Sequence, residues 1–213
     1  MRALLPALIV AFLLAFAPAA DTAKIGDYQS VRGLQTPVEG MDGTVELMTM
    51  CTAWPTISAQ NLSVWMTAAH CIFDDHGKPS DVLTIEGKRV VVEKYFYDER
   101  RGWDVALLRG GPRVRPFQVA LGNALSVFDQ LWSSGYPHGA NDQHTVTGTY
   151  AGSEDELDLY SMPVMPGMSG SPVVDTKSGM VVGVMTQTEC PMGGWCSVSR
   201  GVKLQHLRMI LGY

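Results

Sequence analysis

Gly167-Met168-Ser169-Gly170-Ser171-Pro172-Val173-Val174 sets a serine in a glycine-rich turn that runs straight into an apolar, β-branched segment, and this exit decides the fold class. In a strand–turn–helix serine elbow the serine would open a helix. Here the chain continues extended, so the turn belongs to a β structure. Small neighbours let the backbone approach a bound molecule and present the hydroxyl outward. A tight turn also aims backbone N–H groups. The amides of Gly167 and Ser169 are placed to converge on one point, the geometry that stabilises a developing oxyanion, where losing one donor typically costs about 2.7 to 4 kcal/mol. Taken alone, the segment reads equally well as an ordinary Gly-Ser hairpin.

Working outward, the apolar runs are short, rich in β-branched residues and separated by turn clusters. Residues 45–50, 64–67, 82–85, 90–97, 105–108, 130–133, 145–150, 172–174 and 181–186 read as strands. Asp74-Asp75-His76-Gly77, Gly110-Gly111-Pro112 and Lys177-Ser178-Gly179 carry the turn chemistry between them. One helix stands out at the C-terminus, where Val202, Leu204, Leu207, Met209 and Ile210 form an apolar face opposite Lys203, Gln205, His206 and Arg208. It is expected to pack on the outside of a barrel. A seam falls between Gly110 and Phe117, where Gly-Gly-Pro and Pro116 interrupt the strand series. The reading is all-β: two six-stranded antiparallel β-barrels over 21–113 and 114–213, a functional cleft between them, and the helix at the end. No internal repeat of 20 to 50 residues is apparent.

The first 20 residues read as a signal peptide: Arg2 gives the positive charge, residues 4–16 the apolar run, and Ala17-Pro18-Ala19-Ala20 the small residues of a cleavage site. The run is short and carries Pro6 and Pro18, so no lasting membrane insertion is expected after cleavage, and the protein is expected to be secreted or periplasmic. Sixteen basic residues against 21 acidic give a net charge of −5, which offers no footprint for nucleic acid. Export favours disulfides for the four cysteines, Cys51, Cys71, Cys190 and Cys196. Three pairings are open. Local pairing is favoured: Cys51 with Cys71, and Cys190 with Cys196 around Gly193-Gly194.

Two further segments carry chemistry. Thr67-Ala68-Ala69-His70-Cys71 ends a strand in a compact backbone that holds an imidazole at the barrel edge, and histidine is the base suited to a serine hydroxyl at neutral pH. Trp103-Asp104-Val105-Ala106-Leu107-Leu108 sets an acid at the mouth of an apolar strand, where a bond to a histidine N–H offsets its desolvation and fixes the tautomer. His76, His138, His144 and His206 show no metal-ligand spacing, and neither a metal nor a cofactor is expected. The run Glu154-Asp155-Glu156-Leu157-Asp158 reads as a solvated loop, and the twelve methionines as core filler.

These three segments, in the order His, Asp, Ser, resemble the motifs of trypsin-like (chymotrypsin-fold) serine endopeptidases across nearly all of the chain after residue 20. The Gly-Met-Ser-Gly-Ser-Pro-Val stretch looks closest to that of the bacterial glutamyl endopeptidases, because Ser171 stands where most animal members have glycine. The resemblance implies Ser169 as nucleophile, His70 as general base and then acid, Asp104 as orienter, and the amides of Gly167 and Ser169 as the oxyanion hole. It also implies the Cys51–Cys71 bridge, a substrate channel along 181–186, and Thr186 near Asp104. A peptide or protein substrate and a monomeric enzyme are expected. Met168 stands where animal members carry the aspartate that pairs with a new N-terminus, and no Ile-Val-Gly-Gly start is visible, so activation by that ion pair is not expected. By the same likeness Pro163 falls at the base of the specificity pocket, which disfavours Lys or Arg, and Met185 replaces the histidine that selects glutamate. Pro163, Val164, Met165, Thr186, Gln187 and Thr188 imply a mixed, moderately apolar pocket. The same barrels with an inactive site, serving as a binding module, form the alternative, and an esterase with the same three residues stands nearer.

Overall fold

The structure, a computed structural model, describes residues 28–39, 42–74, 76–122, 125–137, 140–189 and 198–213. The expected signal peptide at 1–20 and the cysteines at 190 and 196 lie outside the described residues.

Among the described residues, twelve strands close into two antiparallel barrels. The first contains β1 (Arg32–Glu39), β2 (Val45–Ile57), β3 (Ser63–Thr67), β4 (Thr84–Ile85), β5 (Lys88–Asp98) and β6 (Trp103–Gly110), in the order β1-β2-β3-β6-β5-β4. The second contains β7 (Gln130–Gly135), β8 (His144–Glu154), β9 (Leu157–Ser161), β10 (Pro172–Asp175), β11 (Val181–Glu189) and β12 (Val198–Lys203). Its order is β7-β8-β9-β12-β11-β10, the same path as in the first. The molecule is therefore a duplicated topology that no sequence repeat discloses.

Side-chain alternation explains how the barrels meet. On β6, Ala106 and Leu108 point into the first barrel, among Leu34, Trp65, Ile85 and Val90. Val105 and Leu107 point the other way, into a shared apolar layer with Trp54, Met66, Phe117, Val181 and Val184. A strand covered on both faces has no polar side to show, which is why Val105-Ala106-Leu107-Leu108 reads as an unbroken apolar run. Tyr160, Met162, Met168, Val173 and Met185 fill the second barrel, so several of the methionines are indeed packing residues.

The helix α1 (Leu204–Leu211) buries His206, Leu207, Ile210 and Leu211. Its buried side joins the shared layer, and it touches β5 and β6 of one barrel and β11 and β12 of the other. It thus braces both barrels, where a seat on the outside of one was expected. Val202 belongs to β12 and not to the helix, and Met209 is 46% exposed. Met209 follows Leu207 by two positions, which in a helix sets it on the side opposite the face carried by Leu207, Ile210 and Leu211. The acidic run is also corrected: Leu157 and Asp158 lie in β9, and Asp158 is buried, accepting from Tyr150 Oη at 3.1 Å and Ser153 Oγ at 2.7 Å. Glu154 pairs with Arg200. Among the described residues no helix is long and apolar enough to cross a membrane.

Candidate active site

β3 ends at Thr67, and the chain tightens into a 3-10 turn over Ala69–Ile72 that carries His70. Ala68 and Ala69 are fully buried, so small side chains let this turn sink into the first barrel while the imidazole stays partly open. Cys71 is bonded to Cys51 on β2, closing a loop of sequence separation 20. The ligand-type atoms of Cys51, His70 and Cys71 all lie within 4.8 Å of one another. Both sulfurs are committed to the disulfide, so this cluster is a bridge pressed against a ring and not a set of free ligands.

Asp104 is the second residue of β6, directly opposite Tyr97 on β5. Asp104 is 5% exposed, and its carboxylate grips residue 70 twice. Oδ1 accepts from the His70 main-chain N–H at 2.8 Å, and Oδ2 accepts from Nδ1 at 2.7 Å. The Nδ1 proton directed at the carboxylate leaves Nε2 as the acceptor. A buried acid, a fixed tautomer and a half-open ring thus come from two segments 34 positions apart in sequence.

The serine turn arrives from the second barrel. Gly167 (φ +91°) and Gly170 (φ +86°) adopt left-handed backbone, which glycine takes without strain. At Gly170 an added Cβ would stand 2.2 Å from the Thr52 carbonyl oxygen, so the turn presses on β2 with no room for a side chain. Within the turn, the amide of Met168 donates to Met165 O, that of Gly170 to Met185 O and that of Ser171 to Met168 O. Among the described residues, the amides of Gly167 and Ser169 have no acceptor. The two donors singled out from the sequence are the ones the turn leaves available.

The Ser169 carbonyl accepts from Thr52 N at 2.8 Å and lies 3.9 Å from Cys71 Sγ, which brings the serine turn against the disulfide, one residue from His70. The Ser169 hydroxyl is directed at the Thr186 carbonyl at 3.5 Å, a long and weak bond, and among the described residues no hydrogen bond joins it to His70. Thr186 is buried and skipped in the β11–β12 register, between Met185 and Gln187. Such bulges re-aim one residue out of a ladder. Its hydroxyl donates to the Arg200 carbonyl, and Asp104 receives no bond from it. Of the expected pocket residues, Pro163 is exposed, Val164 is buried in the second barrel's core and Met165 packs partly against that core. Gln187 and Thr188 continue β11 beyond Thr186.

Sequence reasoning missed Thr52. Its amide, its carbonyl and both capacities of its hydroxyl are all engaged near the serine turn, and only its place next to Cys51 hinted at such a position.

Comparison with known proteins agrees with this geometry. No curated protein matches the chain in sequence. Among solved structures, the active form of the Rv3671c protease from M. tuberculosis superposes with a TM-score of 0.58 at 19% identity, covering 86% of this chain and 79% of that one. The HtrA-type protease AlgW, in a variant with a decapeptide, gives a TM-score of 0.60 at 16% identity over 84% of this chain. This chain covers 61% of the AlgW chain. Both likenesses are of fold, the double barrel of chymotrypsin-like proteins. The family model described as "Trypsin-like peptidase domain" matches residues 51–184, more than half of the sequence and the whole stretch from Cys51 through the serine turn, and the chain therefore belongs to the trypsin-like peptidases.

Proposed function

We propose that this protein is an exported serine endopeptidase that cleaves peptide bonds through an acyl-enzyme. The observation that carries the reading is the double grip of Asp104 on residue 70, which holds the backbone and the Nδ1–H together and leaves Nε2 as a base. Ser169 Oγ attacks the scissile carbonyl while its proton passes to His70 Nε2, and Asp104 stabilises the imidazolium so formed. Charge moves onto the former carbonyl oxygen, where the amides of Gly167 and Ser169 donate to it. The imidazolium then protonates the leaving amine as the tetrahedral intermediate collapses. Water, deprotonated by the same ring, hydrolyses the ester. The region 21–113 supplies the base and its orienter, and 114–213 supplies the nucleophile. The Ser169 hydroxyl reaches this state by turning from its weak contact with the Thr186 carbonyl towards the imidazole, as catalytic hydrogen bonds commonly tighten only with substrate bound. Export rests on the signal-like residues 1–20, and a preference for uncharged side chains rests on Pro163 and Met185.

A fluorophosphonate should label the mature protein at Ser169, and Ser169→Ala should abolish the label. His70→Ala should keep the fold and lower turnover by several orders of magnitude, because such residues act as a unit. Equal labelling of wild type and Ser169→Ala would remove the nucleophile. A folded wild type that takes no label at all would favour the binding-module alternative.

A further inference from the structure

Thr52 lies inside β2, fully buried, at a position where a valine of the same shape would suit both strand and core. Its hydroxyl is nonetheless saturated. Oγ1 donates to the Gly167 carbonyl at 3.1 Å and accepts from the Tyr136 amide at 2.9 Å. Its main-chain N–H donates to the Ser169 carbonyl at 2.8 Å, and its carbonyl accepts from Thr67 Oγ1 at 2.7 Å. One residue of the first barrel therefore holds the carbonyls on both sides of Met168 and also the segment that follows β7. Among the described residues, the Gly167 carbonyl has no other donor and the Tyr136 amide no other acceptor. The second barrel is cut to receive it: a Cβ on Gly135 would stand 2.8 Å from Thr52 Oγ1, and one on Gly170 would stand 2.2 Å from its carbonyl oxygen.

We propose that the Thr52 hydroxyl is the positioning group of the serine turn, reaching across from the first barrel to fix the Gly167 peptide so that the Gly167 and Ser169 amides stay aimed together. The inference rests on the reading of Ser169 as nucleophile. Thr52 touches no reacting atom and acts only through the backbone it holds. Its loss should therefore slow the chemical step more than it weakens binding of a small reagent. Removing the hydroxyl leaves one buried donor and one buried acceptor unmatched, which displaces the turn.

The test measures kinact and KI for fluorophosphonate labelling of Ser169 in wild type, Thr52→Ser and Thr52→Val, with circular dichroism and disulfide mass as fold controls. Thr52→Val should lower kinact by about 30-fold with KI changed less than about threefold, and Thr52→Ser should restore kinact to within about threefold of wild type. If valine prevents folding, Thr52→Ala takes its place, since it leaves room for a water. In whichever hydroxyl-free variant folds, hydrogen exchange at the Tyr136 amide should quicken. A folded hydroxyl-free variant with wild-type kinact, or with unchanged Tyr136 exchange, overturns the positioning role and leaves the nucleophile standing. Absence of label on wild type overturns the nucleophile reading and the positioning role with it.

Discussion

Asp104 has both carboxylate oxygens committed to one neighbour, a demand that asparagine meets only in part. Asp104→Asn keeps an acceptor for the His70 amide but presents an NH2 group to Nδ1, so the ring turns its proton to Nε2, which on the role proposed for His70 removes the base. A drop in turnover of about 10⁴-fold with an intact fold is expected, measured on any peptide substrate the wild type cleaves. Gly170→Ala should act differently, through stability. The left-handed backbone alone costs about 1–3 kcal/mol for alanine, and its methyl would collide with the Thr52 carbonyl, so a lowered urea midpoint should accompany lost labelling. The contact of His70 with Asp104 was legible because each sits in a short segment whose small or apolar neighbours betray a constrained polar group; Ser169 stands out by the same sign, with its hydroxyl on the Thr186 carbonyl. Thr52 was not legible, because a threonine in an apolar strand looks like any other. Its partners lie up to 117 positions away (169 − 52) and are mostly backbone atoms, which leave no mark in a sequence.

Elements were legible in proportion to how fully both of their faces are buried. β3, β6 and β11, buried on both faces over much of their length, stand out as runs, whereas β2 is read only over 45–50 and its buried half, 51–57, is missed, and β1 contains Gly33 and Pro37 and pairs through a bulge at Leu34/Gln35. β9 was hidden by the acids around it, since Asp158 is buried and satisfied by Tyr150 and Ser153, while the exposed Glu154 pairs with Arg200. The Cys51–Cys71 bridge followed from family likeness and short separation. Replacing both cysteines with serine should cost about 3 kcal/mol in the chain-entropy account, read from urea unfolding, and should loosen the turn that bears His70. In α1, burial holds the His206 imidazole below its ordinary value of 6.5, and the ring's Nε2 accepts from Trp103 Nε1 at 3.0 Å. The unfolded chain therefore takes up the proton more readily than the folded one. The stabilising contribution of the neutral ring is complete above the ordinary value and drains away as pH falls below it. Melting temperatures of the wild type should fall as pH drops below the ordinary histidine value of 6.5, and His206→Gln should flatten that slope.

At the scale of the molecule, the shared apolar layer makes the two barrels one cooperative body. Leu107, on the face of β6 turned away from its own barrel, is 4% exposed within that layer. Leu107→Ala should cost about 2–5 kcal/mol and leave a single unfolding transition, because the cavity weakens both halves together. Two barrels were foreseen from the count of short strands and the seam before Phe117, but their identical strand order was not, since a path through space is preserved by burial patterns and not by particular residues. Met168, fully buried in the second barrel, lies at the middle of the serine turn. A turn seated on a thioether in an apolar socket and held by neutral hydrogen bonds owes nothing to paired charges, the contacts that dissolved ions screen. Its shape should therefore persist from dilute buffer to moderate salt.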